Sequence, residues 1–124
     1  MDHQSLNRRR KALCMPIECL GWRSQIPAQL VEQILSGEIV NTEYIAAIKA
    51  ALGINENGSA IPPNEYRTQQ ALIKATKLTN LTQGSSALEG RGLTQKQYRQ
   101  MVKNNMRSLM HGFDNDPYTI WAPL

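Results

Sequence analysis

Apolar residues recur every three to four positions along most of the chain, while strict alternation of apolar and polar residues is nearly absent. A recurrence of three to four residues is typical of an amphipathic helix, and alternation is typical of a half-buried strand. The pattern therefore predicts an all-α protein. The expected helices cover about residues 4–12, 16–23, 27–36, 42–52, 64–79 and 94–111.

Prolines and capping residues mark the boundaries of the first helices. Pro16 and Pro27 suit the first turns of the second and third helices, because their fixed φ is already helical. Asn41 or Thr42 can cap the fourth helix with a side-chain oxygen. Gly53 suits the end of that helix, because glycine adopts a left-handed conformation without strain. These signals predict four helices in the first half of the chain.

A segment rich in turn residues, NENGSAIPP, separates the two halves of the chain. Its asparagines, glycine and adjacent prolines predict a linker over residues 55–63. We therefore expect an N-terminal four-helix domain over residues 1–54 and a C-terminal helical region over residues 64–124. A chain of 124 residues suits one compact domain, or one small domain with an appendage, and is too short for two independent cores.

The second half is expected to form a helical hairpin followed by a tail. Residues 83–92, QGSSALEGRG, predict a break between the two helices of the hairpin. Thr94 and Gln97 form a capping-box pattern at the start of the second helix, and Gly112 is expected to stop it.

An apolar stripe runs along this last helix, and the tail DNDPYTIWAPL adds more apolar surface. About 60 residues cannot bury much surface alone, so the hairpin should cover the first four helices or the hairpin of a second copy. The tail is too apolar to stay in solvent and should dock within the chain or across a dimer. The residues expected at a dimer or partner interface are Tyr98, Met101, Val102, Met106, Leu109, Met110 and Trp121.

The composition is that of an ordinary water-soluble chain, with 41% hydrophobic and 19% charged residues. No apolar run approaches the roughly 20 residues that a membrane-spanning helix needs. The amino terminus lacks the apolar region of a signal peptide, so we expect a cytoplasmic protein with reduced thiols. Cys14 and Cys19, with His3 and His111 distant on either side, do not supply a usual zinc framework, and no metal or cofactor is expected.

The residue types needed for catalysis are not grouped along the chain. The two histidines are far apart, no paired carboxylates share a short helical frame, and the glycines of a phosphate-binding loop are missing. A nucleophile, a base and an orienting group therefore have no common location. We expect no enzymatic activity.

Positive charge is concentrated in two stretches. The formal net charge is +4 and the pI is about 9.3, which is compatible with a polyanionic partner. Residues 8–11, RRRK, are four consecutive cations. Residues 66–107 carry eight cations and one acid, Glu89. This second stretch is either a solvated basic face or an auxiliary contact to phosphates.

Residues 15–37 follow a pattern in which one helix opens after Met15, the small Gly21 precedes a tight turn, and a second helix closes on Gly37. Together with the closing helix YIAAIKAALGI, this pattern resembles the helix-turn-helix of the Cro and phage-repressor family, often called XRE-like. The resemblance covers about residues 5–54. The matching positions are Leu13, Met15, Glu18, Leu20, Gly21, Ile26, Val31, Ile34 and Gly37, followed by Tyr44 to Ile54.

The resemblance implies a recognition helix that is held with one side outward. Leu20, Ile26, Val31 and Ile34 would be buried between helices, and Gly21 would let two backbones come close. The outward side would contact base edges in the major groove. The residues that the resemblance implies as base readers are Ala28, Gln29, Glu32 and Gln33.

The same resemblance implies that the first two helices lie near the phosphate backbone. Consecutive residues of a helix differ by about 100 degrees in direction, so the four cations of residues 8–11 cannot all face the DNA. The implied phosphate contacts are Arg8, Arg9, Arg10, Lys11, Arg23 and Ser36.

Four positions depart from the family pattern. Ile17 stands where a phosphate-binding Gln is usual, Ser24 replaces a core Leu, Gln25 occupies a Gly turn position, and Pro27 replaces a Ser or Thr cap. Gln25 can adopt a left-handed conformation at a modest energy. Pro27 removes a side-chain acceptor for the amides of the following helix. These departures leave open a helix-turn-helix that serves only in packing.

The sequence therefore favours a sequence-specific DNA-binding transcriptional regulator, a dimeric repressor that binds double-stranded DNA at a site with approximate two-fold symmetry. The alternative is a protein-protein interaction module, an antitoxin-like or assembly protein with a degenerate helix-turn-helix. In that alternative, the C-terminal helices would bind a second protein.

Overall fold

The computed structural model describes the backbone of residues 2–88 and 94–124 and the side chains of all of these except 83–88. The described residues form helices and no strand, which confirms the all-α prediction. An isolated antiparallel bridge joins Ile54 and Ala60. The helices are α1 (His3–Ala12), α2 (Ile17–Ser24), α3 (Ala28–Leu35), α4 (Thr42–Ala51), α5 (Pro63–Leu88), α6 (Gln95–Phe113) and α7 (Tyr118–Trp121).

Side-chain caps start α4 and α6 where the sequence predicts them. Of the two candidates for α4, Asn41 is the cap, and its side-chain oxygen accepts a hydrogen bond from the backbone N–H of Tyr44 at 3.0 Å. At α6 the capping box is complete, because Thr94 and Gln97 each accept a hydrogen bond from the backbone N–H of the other. Both helices therefore begin with amides that are satisfied locally.

The prolines at α2 and α3 lie one position outside the helices that they were expected to open. Pro16 and Pro27 are the N-cap residues, and the helices begin at Ile17 and Ala28. Neither proline caps its helix through a side chain. The predicted loss of a side-chain acceptor at Pro27 is therefore confirmed.

The predicted end of α5 is wrong, because the helix continues to Leu88 instead of ending near residue 79. Residues 83–88 are therefore helical, and the remainder of the expected break, 89–92, lies outside the described residues. One glycine inside a helix costs only about 1 kcal/mol relative to alanine. Adding residues to an existing helix is also far easier than starting a new one.

The predicted stop at Gly112 is also wrong, because α6 continues to Phe113 and Asp114 is its C-cap. A side chain at position 112 would lie 3.0 Å from Cγ2 of Thr119, which belongs to α7. The glycine thus permits a close approach of α7 to α6. Although α5 and α6 are the longest helices, no helix in the described ranges has both the length and the apolar character needed to cross a membrane.

One hydrophobic cluster takes side chains from both halves of the chain. Tyr66 of α5 is buried, and its hydroxyl donates a hydrogen bond to the carbonyl oxygen of Ala51 at 2.9 Å. Segment 55–63 is a compact turn in which the N–H of Ile61 returns to the carbonyl of Gly53 at 3.1 Å. The two halves therefore share one core. Its fully buried members include Leu6, Leu13, Met15, Leu20, Ile34, Ile48, Leu52, Ile120 and Trp121.

The tail docks within the chain, which is one of the two arrangements expected for it. Ile120 and Trp121 are completely buried. The indole Nε1 of Trp121 donates a hydrogen bond to the carbonyl of Leu13 at 2.9 Å, at the end of α1. Tyr118 and Leu124 keep 38% and 57% of their surface exposed, so the expected docking holds for only part of the tail.

The predicted dimer face of α6 needs correction, because much of it is buried inside a single chain. Val102, Leu109 and Trp121 belong to the buried core and are not available to a second copy. Tyr98 is half-buried, and its hydroxyl donates to Asn80 of α5 at 2.6 Å. The remaining members of the predicted face, Met101, Met106 and Met110, are half-buried. The chain's own α5 and α7 provide the cover that a partner was expected to provide.

Candidate nucleic-acid interface

The turn between α2 and α3 contains a residue in the left-handed conformation. Gln25 adopts φ 61° and ψ 36°, and its backbone N–H bonds to the carbonyl of Gly21. The next N–H, from Ile26, bonds to the same carbonyl at 3.0 Å. A left-handed conformation costs a non-glycine residue about 1–2 kcal/mol. Burial of Ile26 directly after the turn offsets part of that energy.

Gly21 allows the backbone of α2 to touch the start of α3. A side chain at this position would lie 2.8 Å from the carbonyl oxygen of Ile26 and 3.4 Å from the nitrogen of Ala28. Both contacts are with backbone, which cannot move aside as a flexible side chain can. The close approach predicted at Gly21 is therefore confirmed, and it fixes where α3 leaves the turn.

Buried side chains fix the rotation of α3 about its own axis. Val31 and Ile34 are at most 1% exposed, and Leu20 of α2 is fully buried beside them in the same cluster. Since successive residues turn by about 100 degrees, burial of one side determines which residues face solvent. The burial predicted for Leu20, Ile26, Val31 and Ile34 is confirmed.

The side of α3 that faces away from the core carries Gln29, Glu32 and Gln33, three of the four residues expected to read bases. Ala28 lies beside Gly21 of α2 at the start of α3. Gln29 and Glu32 are exposed, while Ala28 and Gln33 are half-buried. Among the described residues, the side chains of Gln29, Glu32 and Gln33 form no hydrogen bond. Gln side chains can pair with adenine N6 and N7, Glu can accept from cytosine N4, and an alanine methyl can contact the thymine methyl. The chemistry of base recognition is thus present on this face.

Three of the expected phosphate contacts are on the surface. Arg8, Lys11 and Ser36 are exposed, and the hydroxyl of Ser36 donates to the carbonyl of Gln33 at 3.0 Å. No cation is present on α3 itself. Any attraction of this face to phosphates would therefore have to come from neighbouring elements, such as the basic end of α1.

Arg9 and Arg10 are tied down by contacts within the chain. Nε of Arg9 donates to the carbonyl of Leu52 at 2.9 Å, and its guanidinium lies 5.7 Å from the ring centre of Tyr66. Arg10 donates to the side chain of Asn7 at 3.1 Å and to the carbonyl of Met15 at 2.9 Å. Burial lowers the pKa of both guanidinium groups. Arg9, whose Nη2 is buried and unpaired, points into the fold.

Arg23 also points into the fold. Its Nε donates to the carbonyl of Trp121 at 2.9 Å, and its Nη1 donates to Gln70 at 2.8 Å. Burial is the main cause that lowers the pKa of this guanidinium. The charges of Arg9 and Arg23 therefore serve internal packing, and the prediction that these two residues contact phosphates needs correction.

Metal-ligating side chains are not grouped in the described residues, where no set of three His, Cys, Asp or Glu could hold an ion. Cys19 is buried, and burial raises the pKa of its thiol to about 11. Cys14 is exposed and has a left-handed backbone, with φ 55°. The two cysteines therefore lie in different environments and do not form a pair.

No family model, curated protein or solved structure matches this chain.

Proposed function

We propose that the protein is a sequence-specific regulator that binds double-stranded DNA and reads base edges in the major groove with α3. The observation that carries the proposal is the outward, unpaired side chain of Gln29 on a helix whose rotation is fixed by buried Val31 and Ile34. Glu32 and Gln33 extend the same polar face. The left-handed turn at Gln25 supports the proposal, because it gives α3 the connection that the motif requires.

Affinity and specificity would come from different elements. Arg8 and Lys11, with Ser36 at the end of α3, would contact phosphates, and Arg10 would assist with the part of its guanidinium that is not bonded internally. These contacts would be insensitive to sequence and sensitive to salt. The amides of α3 would add roughly 1–3 kcal/mol of discrimination for each well-formed pair with a base.

A dimer on a two-fold symmetric site would need an interface different from the one predicted on α6. The most apolar part of that helix, including Val102 and Leu109, is buried within one chain. We propose that one chain contacts one half-site. If two chains bind together, they would then meet through a surface outside the buried stripe of α6.

The experiment that tests the proposal is selection of bound duplexes from a random pool, with full-length protein and its variants. Gln29→Ala and Gln33→Ala should each relax the preference at particular base positions. Gln69→Ala is the matched control, because it removes the same group from an exposed position of α5. The proposal is overturned if the wild type selects no motif, or if the double variant Gln29→Ala, Gln33→Ala selects the same motif as the wild type.

The phosphate contacts are tested separately by the dependence of duplex affinity on salt. Arg8→Ala and Lys11→Ala should weaken binding to all sequences and lower the salt slope by about 1 each. Lys77→Ala, on the exposed surface of α5, removes the same charge and should leave the slope unchanged. Equal losses in all three variants would show a general effect of net charge instead of contacts from α1.

A second candidate function is a protein-interaction module, and one surface feature favours it. A groove of about 410 Å³ is lined by Trp22, Ile73 and Leu124 together with the cations Arg23, Lys74 and Lys77. Trp22 is 53% exposed and Ile73 47% exposed, so the groove brings exposed apolar side chains together on one surface. Trp22→Ala would abolish partner binding in such a module, whereas it should leave the selected DNA motif of the leading proposal unchanged.

A further inference from the structure

One side of α6 carries four cations that point into solvent. Lys96, Arg99, Lys103 and Arg107 are all exposed. We call these four residues the basic stripe. The stripe is separate from α3, because α6 packs against α5 and α7 whereas α3 packs against α1 and α2.

The spacing of the basic stripe makes it a continuous line of charge. At about 100 degrees per residue, its four members fall within an arc of about 80 degrees. At about 1.5 Å per residue, the line from Lys96 to Arg107 is roughly 16 Å long. Members three or four positions apart are direct neighbours on the helix surface. The stripe therefore presents a narrow row of cations, not charges scattered around the helix.

The basic stripe has no compensating charge in the described structure. The sequence of α6 contains no Asp or Glu. None of the four cations forms an ion pair or a hydrogen bond with another described residue. Like charges four positions apart on a helix repel each other and destabilise it, and a cation in the first turn, such as Lys96, opposes the helix dipole. The arrangement is thus unfavourable for the isolated chain.

Several other cations of the second half of the chain and of α2 form contacts within the protein, unlike the basic stripe. Arg23 and Lys74 donate to carbonyls of the tail. Arg67 donates to the carbonyl of Ala12 and lies over the ring of Phe113. Internal packing explains these cations, and it does not explain the four on α6.

The surface beside the basic stripe suits a polar, negatively charged ligand. A shallow depression of about 400 Å³ is lined by Lys96, Arg99 and Lys103 with Gln95 and Gln100. Every side chain in this lining can donate hydrogen bonds, and none is apolar. An acidic peptide with apolar anchors would find no apolar pocket here, whereas phosphates and sugars need only charge and donors.

We propose that the basic stripe binds the phosphate backbone of a nucleic acid without regard to sequence. It is a second contact surface, separate from α3, and it does not require α3 to read bases. Phosphate binding would neutralise the like charges that destabilise α6. Each phosphate neutralised on duplex DNA releases condensed ions and adds about 0.9 to the salt slope, so four contacts would add about 3.6.

The test compares two double variants of the full chain that lose the same charge. Arg99→Gln with Lys103→Gln removes the centre of the basic stripe, and Lys49→Gln with Lys77→Gln is the control. The probe is a labelled 25-base-pair duplex of arbitrary sequence, whose affinity is measured by fluorescence anisotropy at several salt concentrations. We expect the stripe variant to lose at least about five-fold in affinity and about 1.8 in salt slope, and the control to change far less.

Stability separates a binding defect from a folding defect. Because the stripe variant removes repulsion between neighbours, its thermal unfolding temperature should equal or exceed that of the wild type. Single-stranded RNA as a second probe shows whether the backbone must be that of duplex DNA. Equal losses in the stripe and control variants would overturn the proposal. Preferential binding of wild-type protein to phosphatidylserine vesicles or to polyglutamate, over the duplex, would overturn it as well.

The two surfaces can be separated in the same assay. The double variant Gln29→Ala, Gln33→Ala should keep its affinity for the arbitrary duplex, because the basic stripe is intact. The stripe variant should keep any motif selected from a random pool, because α3 is intact. If the double variant Gln29→Ala, Gln33→Ala still selects the wild-type motif, α3 is not the reader. If the stripe variant keeps wild-type affinity for the arbitrary duplex, the basic stripe does not bind the backbone. The two failures are observed in different variants and are therefore distinguishable.

Discussion

The guanidinium of Arg23 lies 5.1 Å from the ring centre of Trp121 and donates from Nε to the carbonyl of the same residue at 2.9 Å, although the two residues are 98 positions apart. Lys74 adds hydrogen bonds to the carbonyls of Thr119 and Ala122, each at 2.7 Å. The last carbonyls of a helix have no partner within it, and they carry the negative end of its dipole. Two cations thus stabilise the end of the four-residue helix α7.

Loss of the indole should be the most damaging single change in the tail. Trp121 is completely buried, so Trp121→Ala leaves a large cavity and an unpaired carbonyl at Leu13. We expect the free energy of unfolding to fall by about 3–5 kcal/mol, measured with urea. Trp22→Ala is the control, since that side chain is 53% exposed and should change stability much less. A loss below about 1 kcal/mol at Trp121 would mean that the tail does not dock as described.

Removing the charge of Arg23 should destabilise the protein through unpaired carbonyls. Arg23→Met keeps much of the apolar stem but withdraws donors from the carbonyls of Ile120 and Trp121. We expect a loss of about 1–3 kcal/mol in the free energy of unfolding. Arg8→Met, on the exposed side of α1, should stay within about 0.5 kcal/mol of the wild type. If both variants unfold at the same urea concentration, Arg23 does not hold the tail.

Glycine at the turn should suit the backbone better than the native glutamine. Gln25 has φ 61°, and its exposed side chain forms no hydrogen bond with the described residues, so Gln25→Gly removes strain without losing a contact. We expect a gain of up to about 1 kcal/mol, because the relief of left-handed strain slightly exceeds the added freedom of the unfolded chain. The same change at Gln69, inside α5, should cost about 1 kcal/mol. A loss at position 25 would contradict the assigned turn.

The N-terminal half should not fold by itself. A fragment of residues 1–60 lacks Tyr66 and Trp121, whose rings cover the core that Leu13 and Leu52 belong to. Fragments of this size are already marginal, and this one would expose much of its apolar surface. We expect it to show little helical signal in circular dichroism and no cooperative unfolding transition. A cooperative transition near that of the full chain would show that the two halves are independent.

Local features of this fold were predictable because they depend on neighbours in sequence. The capping box of Thr94 and Gln97, the cap at Asn41 and the close approach at Gly21 all involve residues within about seven positions of each other. The periodicity of α3 also predicted which side is buried. These features follow from local hydrogen bonds and helical geometry, and both depend on residue types at short, fixed spacings that can be read from the sequence.

Features that depend on distant partners were not predictable in the same way. Nothing in the periodicity pairs Arg23 with Trp121, so Arg23 was expected to contact phosphates. The periodicity also does not show that α5 and α7 cover α6 within one chain, so that no second copy is needed to cover it. The predicted end of α5 is wrong for a different reason. A glycine and two serines favour a break locally, but extending a long helix that has already formed is easier than ending it there.

The buried thiol of Cys19 should make stability fall at alkaline pH. Burial raises the pKa of this thiol from 9.0 to about 11, and the nearby Arg23 acts against that effect. A group whose pKa is raised by folding contributes its full stability at pH values below its pKa in the unfolded state. That contribution is lost as the pH rises through its pKa in the folded state. The free energy of unfolding should therefore decline between pH 9 and about 11, and less steeply in Cys19→Ala.

At neutral pH an alkylating reagent should label the exposed Cys14 and leave Cys19 unmodified until the protein unfolds. Identical alkaline profiles for the wild type and Cys19→Ala, together with rapid labelling of both thiols, would contradict this placement of α2 in the core.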